Sequence, residues 1–149
     1  MPYRTWQTND IPSSADFNNM FANAQLADVA ASQACTSTGY SDLATVGPSV
    51  TLTLAAGQQC EIKVSSYAAS GSAQDSFMGF AVSGAGTAPA SDTDAARFNS
   101  SGVTLWQMVE KTSIYTAPAS GSYTFTAKYR NSTTASYSHA NRRIIVRKW

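Results

Sequence analysis

Hydrophobic and polar positions follow two different periods in this chain, and the change falls near residue 35. In the first stretch Phe17, Met20, Phe21, Ala24, Ala27 and Ala31 recur largely at three- and four-residue steps, the spacing of one helix face. Ser13 or Ser14 supplies a cap and Asp16 a favourable first-turn charge. The spacing predicts a helix from about residue 13 to Ala34, preceded by an extended arm over residues 1–12, where Pro2, Trp6, Ile11 and Pro12 fit neither period. Apart from Leu26 and Val29, the rest of this helix is small or polar. A seam that narrow either packs on its own domain or bundles with copies of itself. Both readings make residues 1–34 an attachment or oligomerisation element.

From Tyr40 onward the period shortens to two and turn residues become frequent. Val50, Leu52 and Leu54 alternate with Thr51 and Thr53, and Ala55-Ala56-Gly57-Gln58 supplies a turn into Cys60, Ile62 and Val64, which alternate with Glu61, Lys63 and Ser65. Phe77–Val82 reads as a more buried strand, and the aperiodic, Gly/Ala/Ser/Pro-rich residues 83–94 as the longest loop. Val103–Glu110 and Thr112–Thr116 read as two strands, then a corner at Ala117-Pro118-Ala119-Ser120-Gly121. Tyr123, Phe125, Ala127 and Tyr129 oppose Thr124, Thr126, Lys128 and Arg130 in the cleanest alternation of the chain, and Arg142–Trp149 forms a β-branched last strand with basic flanks. With a short strand near Leu43–Val46, about seven or eight strands at this spacing predict an antiparallel, all-β, jelly-roll-like sandwich over residues 35–149.

Composition narrows the function. The 149 residues suit one domain with an appendage. Charged residues make up 13% of the chain, about half the usual ~25%, so polarity comes mainly from hydroxyls and amides. The net charge of +1 gives no general attraction to nucleic acid or an anionic membrane. No apolar run has the ~20 residues of a membrane helix, and Met1–Gln7 lacks the apolar core of a signal peptide. No nucleic-acid partner and no membrane insertion are therefore expected.

Catalytic chemistry finds little purchase. His139 is the one imidazole; in Tyr137-Ser138-His139-Ala140-Asn141 it reads as a loop histidine, and a nucleophile needs an adjacent base. Glu61, Asp75, Asp92, Asp94 and Glu110 form no recognisable pair, and Asp92-Thr93-Asp94 reads as solvated turn formers. Cys35 and Cys60 are 25 positions apart without a Cys-x-x-Cys motif, and two buried, reduced thiols are expected, with a disulfide as the alternative. The chain is thus expected to be no enzyme, with no cofactor and no metal.

Arg142, Arg143, Arg147 and Lys148 crowd the C-terminus, with Lys128 and Arg130 on a strand that is expected to pair nearby. The favoured reading is sheet-edge protection and subunit contact. Trp106, Tyr115 and Tyr67 are candidates for a sugar-stacking platform, or equally for core or interface. Thr104, Trp106 and Met108 against Val103, Leu105 and Gln107 alternate ambiguously, which suggests a strand covered on both faces, the second by another subunit.

Two segments carry a resemblance. Trp6-Gln7 followed by Ile11-Pro12-Ser13-Ser14-Ala15-Asp16-Phe17-Asn18 and Phe21 resembles the N-terminal segment of small bacteriophage tail and fibre proteins. Phe77–Gly84, Tyr115–Arg130 and Asn141–Val146 are similar to the terminal β-domains of phage virion proteins, and the middle segment resembles trimeric jelly rolls of the tumour-necrosis-factor and complement type. The resemblance implies a virion structural protein assembled in the host cytoplasm, a homotrimeric tail fibre or tail-tip component that meets other tail or capsid proteins and host-surface glycan. Trp6, Phe17, Met20 and Phe21 would then serve attachment, and Arg142, Arg143 and Trp149 the subunit interface. A capsid decoration protein, or head fibre, and a carbohydrate-binding module are the alternatives.

Overall fold

A computed structural model describes residues 23–149, which fold into two antiparallel sheets packed face to face. The strands are β1 (Ala24–Val29), β2 (Gln33–Cys35), β3 (Ser49–Leu54), β4 (Gln59–Ala69), β5 (Ala73–Gly84), β6 (Ala96–Ser101), β7 (Gln107–Thr116), β8 (Gly121–Asn131) and β9 (Tyr137–Lys148). One sheet has the order β1-β9-β4-β7, with β2 also on β9, and the other the order β3-β8-β5-β6. The chain passes back and forth between sheets, as expected for a jelly-roll-like sandwich.

The alternating segments form strands because one face of each has a core to bury. Val50, Leu52 and Leu54 of β3, Cys60, Ile62 and Val64 of β4, and Tyr123, Phe125, Ala127 and Tyr129 of β8 all point inward and are buried. At about 25 cal/mol per Å² of apolar surface removed from water, this common interior is the main stabilising term. The Tyr123 hydroxyl donates to the Ala119 carbonyl at 2.6 Å, pinning the Ala117–Gly121 corner. Cys35 and Cys60 are both buried and unpaired; burial pushes the Cys60 thiol up to about 11.

Several expectations change. The predicted helix gives way where the structure describes it. Ala24–Val29 pairs residue for residue with Val29 opposite Arg142 and Ala24 opposite Arg147. Six ladder pairings outweigh the helix preference of alanine, because propensity amounts to less than ~1 kcal/mol per residue. The sandwich accordingly begins by Ala24 rather than at Cys35. The predicted arm, the helix start and Trp6, Phe17, Met20 and Phe21 lie outside the described residues. No strand forms at Leu43–Val46; Leu43 instead plugs the core from a loop. The two strands expected at Val103–Glu110 and Thr112–Thr116 are one, β7, while Val103–Trp106 is an exposed connection. The ambiguous alternation there reflects a loop, not a strand covered on both sides. β6 has no counterpart among the predicted strands; only Ala96, Phe98 and Ser100 face inward from it.

The C-terminal strand is the largest correction. β9 runs through the middle of its sheet, between β1/β2 and β4, so its arginines guard no edge. Pairing with β4 runs Cys60↔Lys148 to Ser65↔Arg143 and resumes at Tyr67↔Ala140. Two steps on β4 thus span three on β9, a β-bulge. Asn141 has φ 47°, a left-handed conformation that asparagine tolerates better than most residues. The extra residue leaves Ala140 and Asn141 both outward and turns Arg142 into the core.

Arg142 is fully buried, so it is not free to serve a subunit interface. Its Nη1 donates to the carbonyls of Thr45 and Gly47, each at 3.3 Å, and Nη2 to Gln33 Oε1 at 3.0 Å. The guanidinium lies 5.5 Å from the Tyr129 ring centre. His139 is buried in β9, not exposed in a loop, and is ringed by Phe98, Tyr129 and Tyr137. Its Nε2 meets Ser76 Oγ at 2.8 Å, and the Ser76 hydroxyl donates to Asn131 Oδ1 at 2.8 Å. Asn131 Nδ2 donates in turn to the carbonyls of Cys35 and Ala135, at 2.6 and 2.9 Å. This polar chain satisfies groups whose burial without partners costs about 1–3 kcal/mol each.

Two outcomes follow. Arg142→Ala leaves the Thr45 carbonyl without its side-chain donor, takes one of two donors from the Gly47 carbonyl and from Gln33 Oε1 and opens a cavity, so it is expected to destabilise the fold by about 3 kcal/mol in chemical denaturation. Desolvation, and secondarily the Arg142 charge, lower the His139 pKa to about 3, whereas an unfolded histidine titrates near 6.5. The unfolded chain therefore binds this proton first. Stability is expected to hold above about pH 6.5 and to fall towards pH 3, with a slope reaching about 1.4 kcal/mol per pH unit from this group. Urea titrations at a series of pH values check this, since His139→Gln should flatten the slope.

Candidate functional site

The two outer faces of the sandwich differ in chemistry. On the β3-β8-β5-β6 sheet the outward positions are hydroxyl-rich: Ser49 bonds Thr126 at 3.1 Å and Thr51 bonds Thr124 at 2.8 Å. Its charges are paired. Lys128 Nζ reaches Asp42 at 2.7 Å, and Arg97 reaches Asp75 at 2.6 Å. Arg130 grips both oxygens of Asp92 and covers the Phe77 ring at 4.0 Å from its centre. Asp92 also accepts from the Tyr40 hydroxyl at 3.0 Å, so this carboxylate closes a loop onto the sheet. Its pKa is lowered, chiefly by the bond from Arg130. Among the described residues no cluster of three or more His, Cys, Asp or Glu is placed to hold a metal ion.

Lys128 and Arg130 therefore sit on the sheet opposite β9, and Arg142 lies inside. The basic cluster foreseen around the C-terminus is dispersed, leaving Arg143, Arg147 and Lys148 on β9.

The outer face of the β1-β9-β4-β7 sheet mixes apolar side chains with charges of both signs. The registers place Ala24, Arg147, Glu61 and Ile114 in one row and Leu26, Ile145, Lys63 and Thr112 in the next. Asp28, Arg143, Ser65 and Glu110 form a third row, and Ala140, Tyr67 and Met108 a fourth. Leu26 and Ile114 are each 54% exposed and Met108 56%. Lys63 bonds Glu110 at 2.8 Å. Trp149, 38% exposed, is tied by its carbonyl to the Gln58 side chain at 3.3 Å beside this sheet.

At the bulge end the face opens into a cleft of about 290 Å³ lined by Ser32, Tyr67, Trp106, Ala140 and Asn141. Four elements build it: the β1–β2 connection, β4, the β6–β7 loop and the β9 bulge. Gly102, at φ 92°, turns the chain from β6 into that loop. Tyr67 is 41% and Trp106 50% exposed, and neither ring packs on another aromatic ring among the described residues. The Asn141 amide N–H donates to the Ala30 carbonyl at 3.2 Å, which fixes the bulge against the β1–β2 connection. Tyr115 is not part of the cleft. It faces inward, edge-on to Tyr123 and Phe125 with ring centres 5.9 and 5.5 Å apart. Sequence reasoning thus named two of the lining residues and missed Ser32, Ala140 and Asn141. An Asn within a strand-like run is a weak signal of a left-handed bulge, and it is the one that was there to read.

The described residues define an all-β, jelly-roll-like sandwich. Its structure is similar to that of Eiger TNF from S. frugiperda, at 10% identity over 85% of this chain and 93% of that one, with a TM-score of 0.55; that likeness shows a shared fold. The chain also aligns with the CBM35 of Cellvibrio japonicus Abf62, at 14% identity over 84% and 96% of the two chains, with a TM-score of 0.38. No protein-family model and no curated protein matches the sequence.

Proposed function

We propose that the chain is a non-enzymatic structural protein of a bacteriophage particle, a homotrimeric tail-fibre or tail-tip component. It attaches through the residues ahead of the sandwich and displays the sandwich towards the host surface. The carrying observation is the outer face of the β1-β9-β4-β7 sheet, where Leu26 and Ile114 stand exposed among Glu61, Arg147 and Lys63. Large side chains more than half exposed on one sheet, interleaved with both charges, suit a partner that brings the same mixture, which a second copy of this chain does. Charge rows then set the register while the apolar positions supply the area. The virion setting and the threefold count come from the resemblance carried by Trp6–Phe21 and Tyr115–Arg130.

The alternative of a capsid decoration protein uses the same face and differs only in location. Light scattering on the full chain is expected to give three times the 15.8 kDa chain mass, and Leu26→Glu with Ile114→Glu should lower it to one without loss of thermal stability. A monomer at about 100 μM, some hundredfold above the ~1 μM dissociation constant of a moderate interface, overturns the assembly. Antibody labelling of intact particles in electron microscopy separates tail from head, and absence from both overturns the virion assignment.

A further inference from the structure

We propose that the Tyr67–Trp106 cleft binds a neutral saccharide ring. This deepens the display reading, on which it rests for where the saccharide is met, by naming the ligand class. Small-molecule clefts start at about 300 Å³, so at about 290 Å³ this one takes a short glycan unit rather than a polymer segment. None of its five lining side chains carries a formal charge, so phosphate, carboxylate and ammonium ligands would lose hydration without gaining a counter-charge. The lining is mainly apolar and combines Tyr67, Trp106 and Ala140 with Ser32 and Asn141, side chains that bear a hydroxyl and an amide at its rim. A sugar ring matches that division. Its C–H face is apolar and stacks on an aromatic face, and its hydroxyl rim needs groups that both donate and accept, as amides and hydroxyls do.

The geometry is also held in place rather than adventitious. Asn141 occupies a left-handed conformation at φ 47°, sustained by the bulge, by its N–H bond to Ala30 at 3.2 Å and by the neighbouring Arg142 anchored in the core. Backbone outliers of this kind cluster at binding sites. Tyr67 and Trp106 have no ring partner among the described residues, so ring surface is available for stacking.

The test is an array of neutral and acidic glycans probed with the full chain, followed by calorimetric titration of the strongest neutral hit as the free oligosaccharide. The same glycan presented on a lipid-anchored conjugate in vesicles, beside vesicles without it, forms a second arm. Binding to the free sugar is expected, with Trp106→Ala and Tyr67→Ala each weakening it at least tenfold. Asn141→Gly, which keeps the left-handed backbone, should weaken it severalfold at unchanged melting temperature, and Thr124→Ala on the opposite sheet should leave it unaltered. A silent array, equal binding by the Trp106 and Tyr67 variants, a preference for acidic glycans, or binding to the bare vesicles each overturns the proposal. A monomer that binds sugar sinks only the assembly reading, and a trimer that binds none sinks only this one.

Discussion

The bulge in β9 is the constraint on which the rest of the structure depends. In a regular strand His139 and Arg142, three positions apart, point to opposite faces. The extra residue between Tyr67↔Ala140 and Ser65↔Arg143 reverses the parity, so both enter the core while Ala140 and Asn141 both leave it. A charged guanidinium in the interior needs acceptors for its donors and groups that spread its charge. Carbonyls of Thr45 and Gly47 and the Gln33 side chain accept from the two Nη groups and the Tyr129 ring lies beside the charge, while Nε is buried without a partner. Gln33 in turn bonds the Thr45 hydroxyl at 2.7 Å. β2, the loop before β3, and β9 are therefore locked to one another through one side chain, and the register of the central strand follows.

How much of this was legible in the sequence depends on whether a strand obeys a period of two. β3, β4 and β8 do, and their inward residues were readable as such. β1 was hidden because Ala24, Ala27 and Ala31 repeat at helical steps, and nothing local reveals the six pairings with β9 that decide the matter. β6 was hidden because a polar residue, Ser100, takes one of its three inward positions. The bulge itself escapes any periodic reading, and with it went the two buried polar residues: Arg142 looked like surface charge and His139 like a loop residue. Aromatic content made Trp106 and Tyr67 visible as site candidates. Tyr115 has the same composition signal but lies on the other face of β7, a distinction that register alone supplies.

Chemistry is divided between inside and outside in an unusual way. Inside, the polar groups are committed to structure: His139 is held neutral between aromatic rings, Asn131 ties β8 to β2, and burial raises the pKa of the Cys35 and Cys60 thiols. On the β3-β8-β5-β6 sheet, Arg130, Arg97 and Lys128 are likewise committed to Asp92, Asp75 and Asp42. The outer face of the other sheet keeps large apolar groups about half exposed to water, at a cost of roughly 1 kcal/mol for each side chain that burial would recover. That cost is most simply offset by a partner or ligand.

The two features of that face need not compete. Ile114 and Met108 lie six residues apart on β7, roughly 20 Å at ~3.3 Å per residue. The Leu26 and Ile114 rows occupy one end of the sheet and the Tyr67–Trp106 cleft the other. A neighbour seated on the first end, with its register set by the charges of Glu61, Arg147 and Lys63, leaves the bulge end open to solvent. One sheet can then serve assembly and recognition together, because the inserted residue that re-aims β9 inward at Arg142 also shapes the cleft proposed for the saccharide.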